Sequence, residues 1–194
     1  PTLVIGAYHS RSNFMENADL TVHRYMEAKK GKVKATESNL ISPAAKDLAC
    51  LLGRLHEGGL RDDKLAGFGY SGASNVVTDS FRILREQGRV FKGSTIVTIS
   101  SADPSYNRQE REDMPRRIDF TSGADFSAAL WGVRFGKSGD YRTRIKPTDK
   151  SDFNGHGIDA YYDAINDSKG KIDSKHADIK LSIIHISEHT RPVM

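Results

Sequence analysis

Apolar and polar positions alternate along this chain in blocks that read as strands and helices by turns. Residues 2–7 (TLVIGA) form a β-branched apolar run, the pattern of a buried strand. A loop over 8–17 and a helical stretch over 18–30 follow, then a polar stretch, 31–42, with a short strand at 32–35. Ser42 and Pro43 supply an N-cap and a first-turn proline, so a helix is expected from there to about His56, stopping at Gly58 and Gly59. A strand over 64–70 precedes a helix over 75–87, which Gly88 ends. Residues 94–101 (STIVTISS) are a continuous apolar strand, and 117–122 (RIDFTS) another, with a helix or loop behind it at 124–131. A strand at 141–146, a short helix at 157–166 and a late strand at 180–186 (KLSIIHI) complete the series. Buried strands alternating with helices predict an α/β protein: a three-layer sandwich around a mostly parallel central sheet. The 194 residues suit a single domain, with 180–194 read as an extra edge strand and tail.

Composition narrows the function classes. Charged residues are 28% and hydrophobic ones 37%, as in a soluble globular protein. No stretch reaches the roughly 18 apolar residues of a membrane span, so no integral membrane segment is expected. No charged-then-apolar leader opens the chain, so no uncleaved secretory signal is expected either. The net charge of +4 is mild and its cations are scattered, with no aromatic-plus-basic platform, so nucleic acid is not an expected partner. Peripheral contact with an anionic membrane is the most that this charge supports. The single cysteine, Cys50, excludes an intramolecular disulfide; beside Leu48, Leu51 and Leu52 it is expected to be a buried thiol. No HExxH or paired Cys/His spacing is present, nor a phosphate-binding G-x-x-x-x-G-K-[ST], nor a G-x-G-x-x-G opening a helix. Neither a metal nor a cofactor is expected.

The informative run is 65–74, LAGFGYSGAS. An apolar strand ends in Ser71 ringed by small residues, and a helix follows at once. This is the pattern of a nucleophile elbow, G-x-S-x-G, with Ala73 in the last place. The small residues let a strand turn sharply into a helix, and the turn aims the next N–H and the helix N-terminus at a developing oxyanion. An ordinary βα turn has similar small residues, so the neighbouring strand ends must decide. In an open parallel sheet ligands gather at the C-terminal ends of the strands. Those ends carry Ala7, Tyr8 and His9, then Ser71, then Asp103, then Asp125; after the last strand of the set comes His156, between two glycines. A serine, an acid and a histidine thus follow in chain order.

On these residues the chain resembles an α/β-hydrolase, closest in layout to small lipases of the class 3 or cutinase sort, from Thr2 to about Asn166. GYSGA stands where the lipase elbow stands, TIVTISSADP on the next strand, RIDFTSGAD on the strand that delivers the family's acid, and FNGHG on the segment that delivers its histidine. Ala73 replaces a glycine, and the two antiparallel strands that open larger members are missing, which makes this a minimal version of the fold or a fragment. The resemblance implies a serine acyl hydrolase acting on a lipid or small-molecule ester through an acyl-enzyme. Ser71 would be the nucleophile, His156 the base and Asp125 the acid, with Asp103 the alternative acid. Gly72 and either Ala7 or Tyr8 would supply the oxyanion-hole N–H groups.

Each role has a plainer competitor. Asp125 also fits a helix N-cap and Asp103 a turn residue before Pro104; His9, at the first strand end, is a candidate to line the pocket or to fill a missing role. The apolar segment 126–135, with Trp131, reads equally as a lid or a core helix. The alternative function is a non-catalytic α/β binding domain, or a hydrolase domain within a larger secreted or toxin polypeptide. The composition is equally compatible with cytoplasmic and exported proteins.

Overall fold

The computed structural model describes residues 41–101, 112–122 and 141–145, with 121–122 and 141–145 followed through their backbone. Element order is α1 (Pro43–Glu57), a 3-10 turn (Asp62–Lys64), β1 (Ala66–Tyr70), α2 (Ala73–Glu86), β2 (Thr95–Ile99), β3 (Arg116–Ser122) and β4 (Tyr141–Ile145). The four strands lie in the order β1-β2-β3-β4 and all pair in parallel. This is an α/β architecture. The strands and helices expected over 2–7, 18–30, 32–35, 124–131, 157–166 and 180–186 lie outside the described residues.

Local chemistry accounts for the helix ends. The Ser42 hydroxyl accepts the Ala45 N–H at 3.2 Å, and Pro43 occupies the first helical position. Both helices stop on a glycine at positive φ, Gly59 at 95° and Gly88 at 77°. In each, the following residue donates back to the helix, Leu60 to Leu55 O and Arg89 to Leu84 O, which satisfies last-turn carbonyls. β1 begins two residues later than its apolar pattern because Asp62–Lys64 forms the 3-10 turn. That turn is tied to the residues before β2: Ser94 Oγ donates to Asp62 O, and Gly93 N–H to Asp62 Oδ2.

Register sorts the side chains by face. Gly67, Ile96 and Arg117 form one row across the sheet, and Gly69, Thr98 and Asp119 the next. α2 lies on this face. The core here joins Ala45, Ala49 and Leu52 of α1, Val76, Val77, Phe81, Ile83 and Leu84 of α2, and Phe91, Ile96 and Met114. Phe81 and Phe91 meet edge to face with centroids 5.6 Å apart. On the opposite face Val97, Ile118 and Phe120 are equally buried, so the middle of the sheet is dry on both sides.

Cys50 corrects the sequence expectation: its thiol is exposed. The inward stripe of α1 is Ala45, Ala49, Leu52 and Gly53. Cys50 lies one residue beyond Ala49, about 100° round the helix, and Leu51 is turned out with it. Apolar neighbours in sequence did not define the buried face; helical spacing did.

Phe81 is 2% exposed and central to this core, whereas Leu51 is 38% exposed. Phe81→Ala is expected to cost about 3–5 kcal/mol in chemical denaturation, and Leu51→Ala within about 0.5 kcal/mol of no change. Equal effects would show that the packing described here is wrong.

Candidate active site

Ser71 stands between the last residue of β1 and the N-cap of α2, and its φ is +51°. A non-glycine residue in this left-handed region is held there at a cost of about 1–2 kcal/mol. Two hydrogen bonds fix it: the Ser71 N–H donates to Ile99 O at 2.9 Å, and the Ser71 carbonyl accepts the Ser74 N–H at 3.1 Å. The chain therefore reverses from strand to helix within two residues, Ser71 and Gly72, and Gly72 O takes the Asn75 N–H at 3.1 Å. The side chain of Ser71 is half-buried, at the surface end of β1.

Such a sharp turn forces the helix onto the strand. A Cβ on Gly69 would stand 2.5 Å from Ser74 Cα, 2.8 Å from Ser74 N and 3.0 Å from Ala73 O, all backbone atoms that cannot step aside. Ser74, fully buried, seals the contact by donating its hydroxyl to Gly69 O at 3.1 Å. The first glycine of the motif is thus required by close approach. Gly72 sits at the N-cap in ordinary helical geometry (φ −59°, ψ −28°), where the helix presents its positive end.

The neighbouring strand ends in the same way. Tyr70 pairs with Ile99, so Ser100 is the counterpart of Ser71 on β2, and its φ is also +51°. Its N–H donates across to Phe120 O on β3 at 3.1 Å. Behind this turn lies a buried polar group that the apolar reading of β3 missed. Arg117 is fully buried and Asp119 1% exposed, and Arg117 Nε donates to Asp119 Oδ1 at 2.7 Å. Arg117 Nη2 donates to Ser101 Oγ at 3.2 Å, and the Thr98 hydroxyl donates to Asp119 Oδ1. The signal was available: Arg117 and Asp119 are two apart in a strand, so they share a face, opposite to Ile118 and Phe120. α2 buries a second ion pair, Arg82 with Asp79 at 3.2 Å.

Of the residues expected at the site, Ser71 and Gly72 are brought together at the turn. Asp125, Asp103, His156, Ala7 and Tyr8, together with His9, lie outside the described residues. β2 ends at Ile99 and β3 at Ser122, upstream of Asp103 and Asp125 respectively. The described residues hold no cluster of three or more His, Cys, Asp or Glu side chains suited to a metal ion. None of their helices is long and apolar enough to cross a membrane. Asp63 has a carboxyl held below its ordinary pKa by hydrogen bonds from the Arg61 guanidinium, but this exposed pair precedes β1, at the far end from Ser71. Comparison of the chain with protein-family models, curated proteins and solved structures found no match.

The strain at Ser71 is measurable without any substrate. Both Ser71→Ala and Ser71→Gly delete the hydroxyl, but only glycine tolerates φ +51°. Ser71→Gly is expected to be about 1 kcal/mol more stable than Ser71→Ala in chemical denaturation, the reverse of the usual order. Gly69→Ala is expected to lose at least about 3 kcal/mol or fail to fold, because backbone must move to admit the methyl. A harmless Gly69→Ala would disprove the close approach.

Proposed function

We propose that this protein is a serine acyl hydrolase of the α/β-hydrolase kind, with a minimal three-layer fold, cleaving a small-molecule or lipid ester through an acyl-enzyme. The observation that carries this reading is the left-handed Ser71 at the tip of a strand–turn–helix, pressed close by Gly69. A serine has no conformational reason to occupy that position where glycine would fit better, and strained residues of this kind cluster at functional sites. Two further features support it: the sequential parallel strands β1 to β4, and the N-terminus of α2, which begins two residues after Ser71.

In this reading Ser71 Oγ attacks the acyl carbon as His156 removes its proton. An imidazole with an ordinary pKa near ~6.5 suits that exchange at neutral pH. Asp125 holds the ring in one tautomer and stabilises its protonated form, Asp103 being the rival for the role. The Gly72 N–H and one from Ala7 or Tyr8 receive the oxyanion; losing one such donor costs about 2.7–4 kcal/mol of barrier. His156 then protonates the departing alcohol, and water attacks the acyl-enzyme by the same route in reverse. The apolar segment 126–135 supplies a wall for the acyl chain, with about 0.8 kcal/mol gained per methylene buried.

The experiment is covalent labelling by a fluorophosphonate probe together with hydrolysis of p-nitrophenyl esters. Wild type is expected to label at Ser71, and Ser71→Ala to lose on the order of 10³-fold or more in turnover with its fold intact. Asp125→Asn is expected to lose far more than Asp103→Asn. Turnover is expected to rise from acetyl to butyryl esters. Absence of labelling in folded wild type would return the chain to the binding-domain reading.

A further inference from the structure

The Ile99–Ser100 peptide is a single planar unit with hydrogen bonds on both sides. Its carbonyl accepts the Ser71 N–H at 2.9 Å, and its N–H donates to Phe120 O at 3.1 Å. The tilt of this plane therefore sets where the backbone of Ser71 begins its turn. That tilt depends on Ser100 being kept at φ +51°, a conformation serine does not choose unaided.

Two groups from β3 hold Ser100 in place. Phe120 O takes its N–H. On the following residue, Ser101 Oγ takes a hydrogen bond from Arg117 Nη2 at 3.2 Å. Arg117 is itself pinned by Asp119 at 2.7 Å, and Asp119 is tied back to β2 through the Thr98 hydroxyl. Thr98, Ser100 and Ser101 are all at most 1% exposed, as are Arg117 and Asp119. The circuit is closed: β3 grips β2 at Thr98, Ser100 and Ser101, and β2 in turn anchors the N–H of Ser71. A buried ion pair is a weak source of stability compared with an apolar pair of the same volume. Its value here lies in what it orients, since the guanidinium reaches past its own strand row to the turn beside the elbow.

We propose that Arg117 and Asp119 are positioning residues for Ser71, acting through the strained Ser100–Ser101 turn. Their catalytic consequence rests on the hydrolase reading above; the mechanical coupling does not. Removing the grip on Ser101 takes away one of the contacts that hold the Ser100 turn, which lets the Ile99–Ser100 peptide tilt and loosens the Ser71 N–H. Substrate contacts away from Ser71 are untouched, so the loss falls on turnover.

The test uses Ser101→Ala, which deletes the guanidinium's acceptor with little change in volume, and Arg117→Lys, which keeps the charge beside Asp119 and gives up the fork. Ser80→Ala is the control for losing a buried serine hydroxyl; Ser80 donates to Val77 O at 2.7 Å within α2. The first readout is hydrogen exchange of the Ser71 amide, measured against the central amides of β2. The second is kcat and KM for a p-nitrophenyl ester. Ser101→Ala and Arg117→Lys are each expected to speed Ser71 exchange at least about 10-fold more than exchange at the β2 centre. They are expected to lower kcat about 10–100-fold with KM within about twofold. The double variant should lose no more than the worse single one, because both cut the same link. Ser80→Ala is expected to lower the Tm and leave both readouts unchanged. If Ser71 and the β2 centre speed up equally, the pair serves stability alone and the proposal is overturned. If exchange behaves as expected and wild type does not label, the coupling stands and the hydrolase reading falls. If wild type labels while kcat is unchanged in the two variants, the hydrolase reading stands and the positioning role falls.

Discussion

Everything described around Ser71 depends on how closely α2 is laid against β1. With hydrogen in place of a side chain at Gly69, the Ser74 backbone comes nearer than any Cβ could allow. That closeness makes the reversal possible in two residues, and the short reversal drives Ser71 into left-handed geometry. It also brings the sheet side of α2 down onto Gly67, whose missing Cβ would lie 2.7 Å from Val77 Cγ1. A helix set a few ångströms further out would need a longer turn. Its first residue could then be an unstrained one. The strain is local, but the core of Val77, Phe81 and Ile96 is what keeps it from relaxing.

β3 shows a different compromise. A strand in the middle of a parallel sheet is usually apolar on both faces. Here Ile118 and Phe120 keep one face apolar, while Arg117 and Asp119 occupy the other and are fully desolvated. Desolvating two charges is unfavourable unless each finds partners, and they do so through Thr98, Ser101 and one another. The polar group therefore ties β2 and β3 into one unit at a place where apolar packing would have left the turn after β2 without directional side-chain contacts.

The strand–helix rhythm was legible because each element carried its own punctuation. Ser42-Pro43 started α1 where its cap chemistry demanded, Gly88 closed α2, and STIVTISS was too apolar and β-branched to be anything but a central strand. The tight turn from β1 to α2 was legible too, since LAGFGYSGAS concentrates small residues where a close approach needs them. What escaped was set by faces rather than by runs. Cys50 has apolar neighbours along the chain yet lies on the outside of α1. RIDFTS has the length and bounds of an apolar strand, but its charges alternate with its apolar residues and line one buried face. The strain at Ser100 had no sequence signal at all: STIVTISS contains no glycine and no turn motif, and only the backbone geometry sets that serine apart from the strand before it.

Two serines at the same φ on adjacent strand ends are harder to explain as accidents than one. A turn after a parallel strand can use glycine or asparagine at a left-handed position at little cost, and this chain has 17 glycines to deploy. Among the described residues, the non-glycine residues at positive φ are Ser71 and Ser100, and they are side by side. Ser71 is half-buried, whereas Ser100 is enclosed. The pair thus divides the work a strained site requires. One serine stands half-buried at the end of β1, and its neighbour is sunk into the polar circuit of β3. Strain at Ser71 is thus linked to strain at Ser100 through the single Ile99–Ser100 peptide, whose carbonyl accepts the Ser71 N–H and whose N–H is Ser100's own donor to Phe120 O.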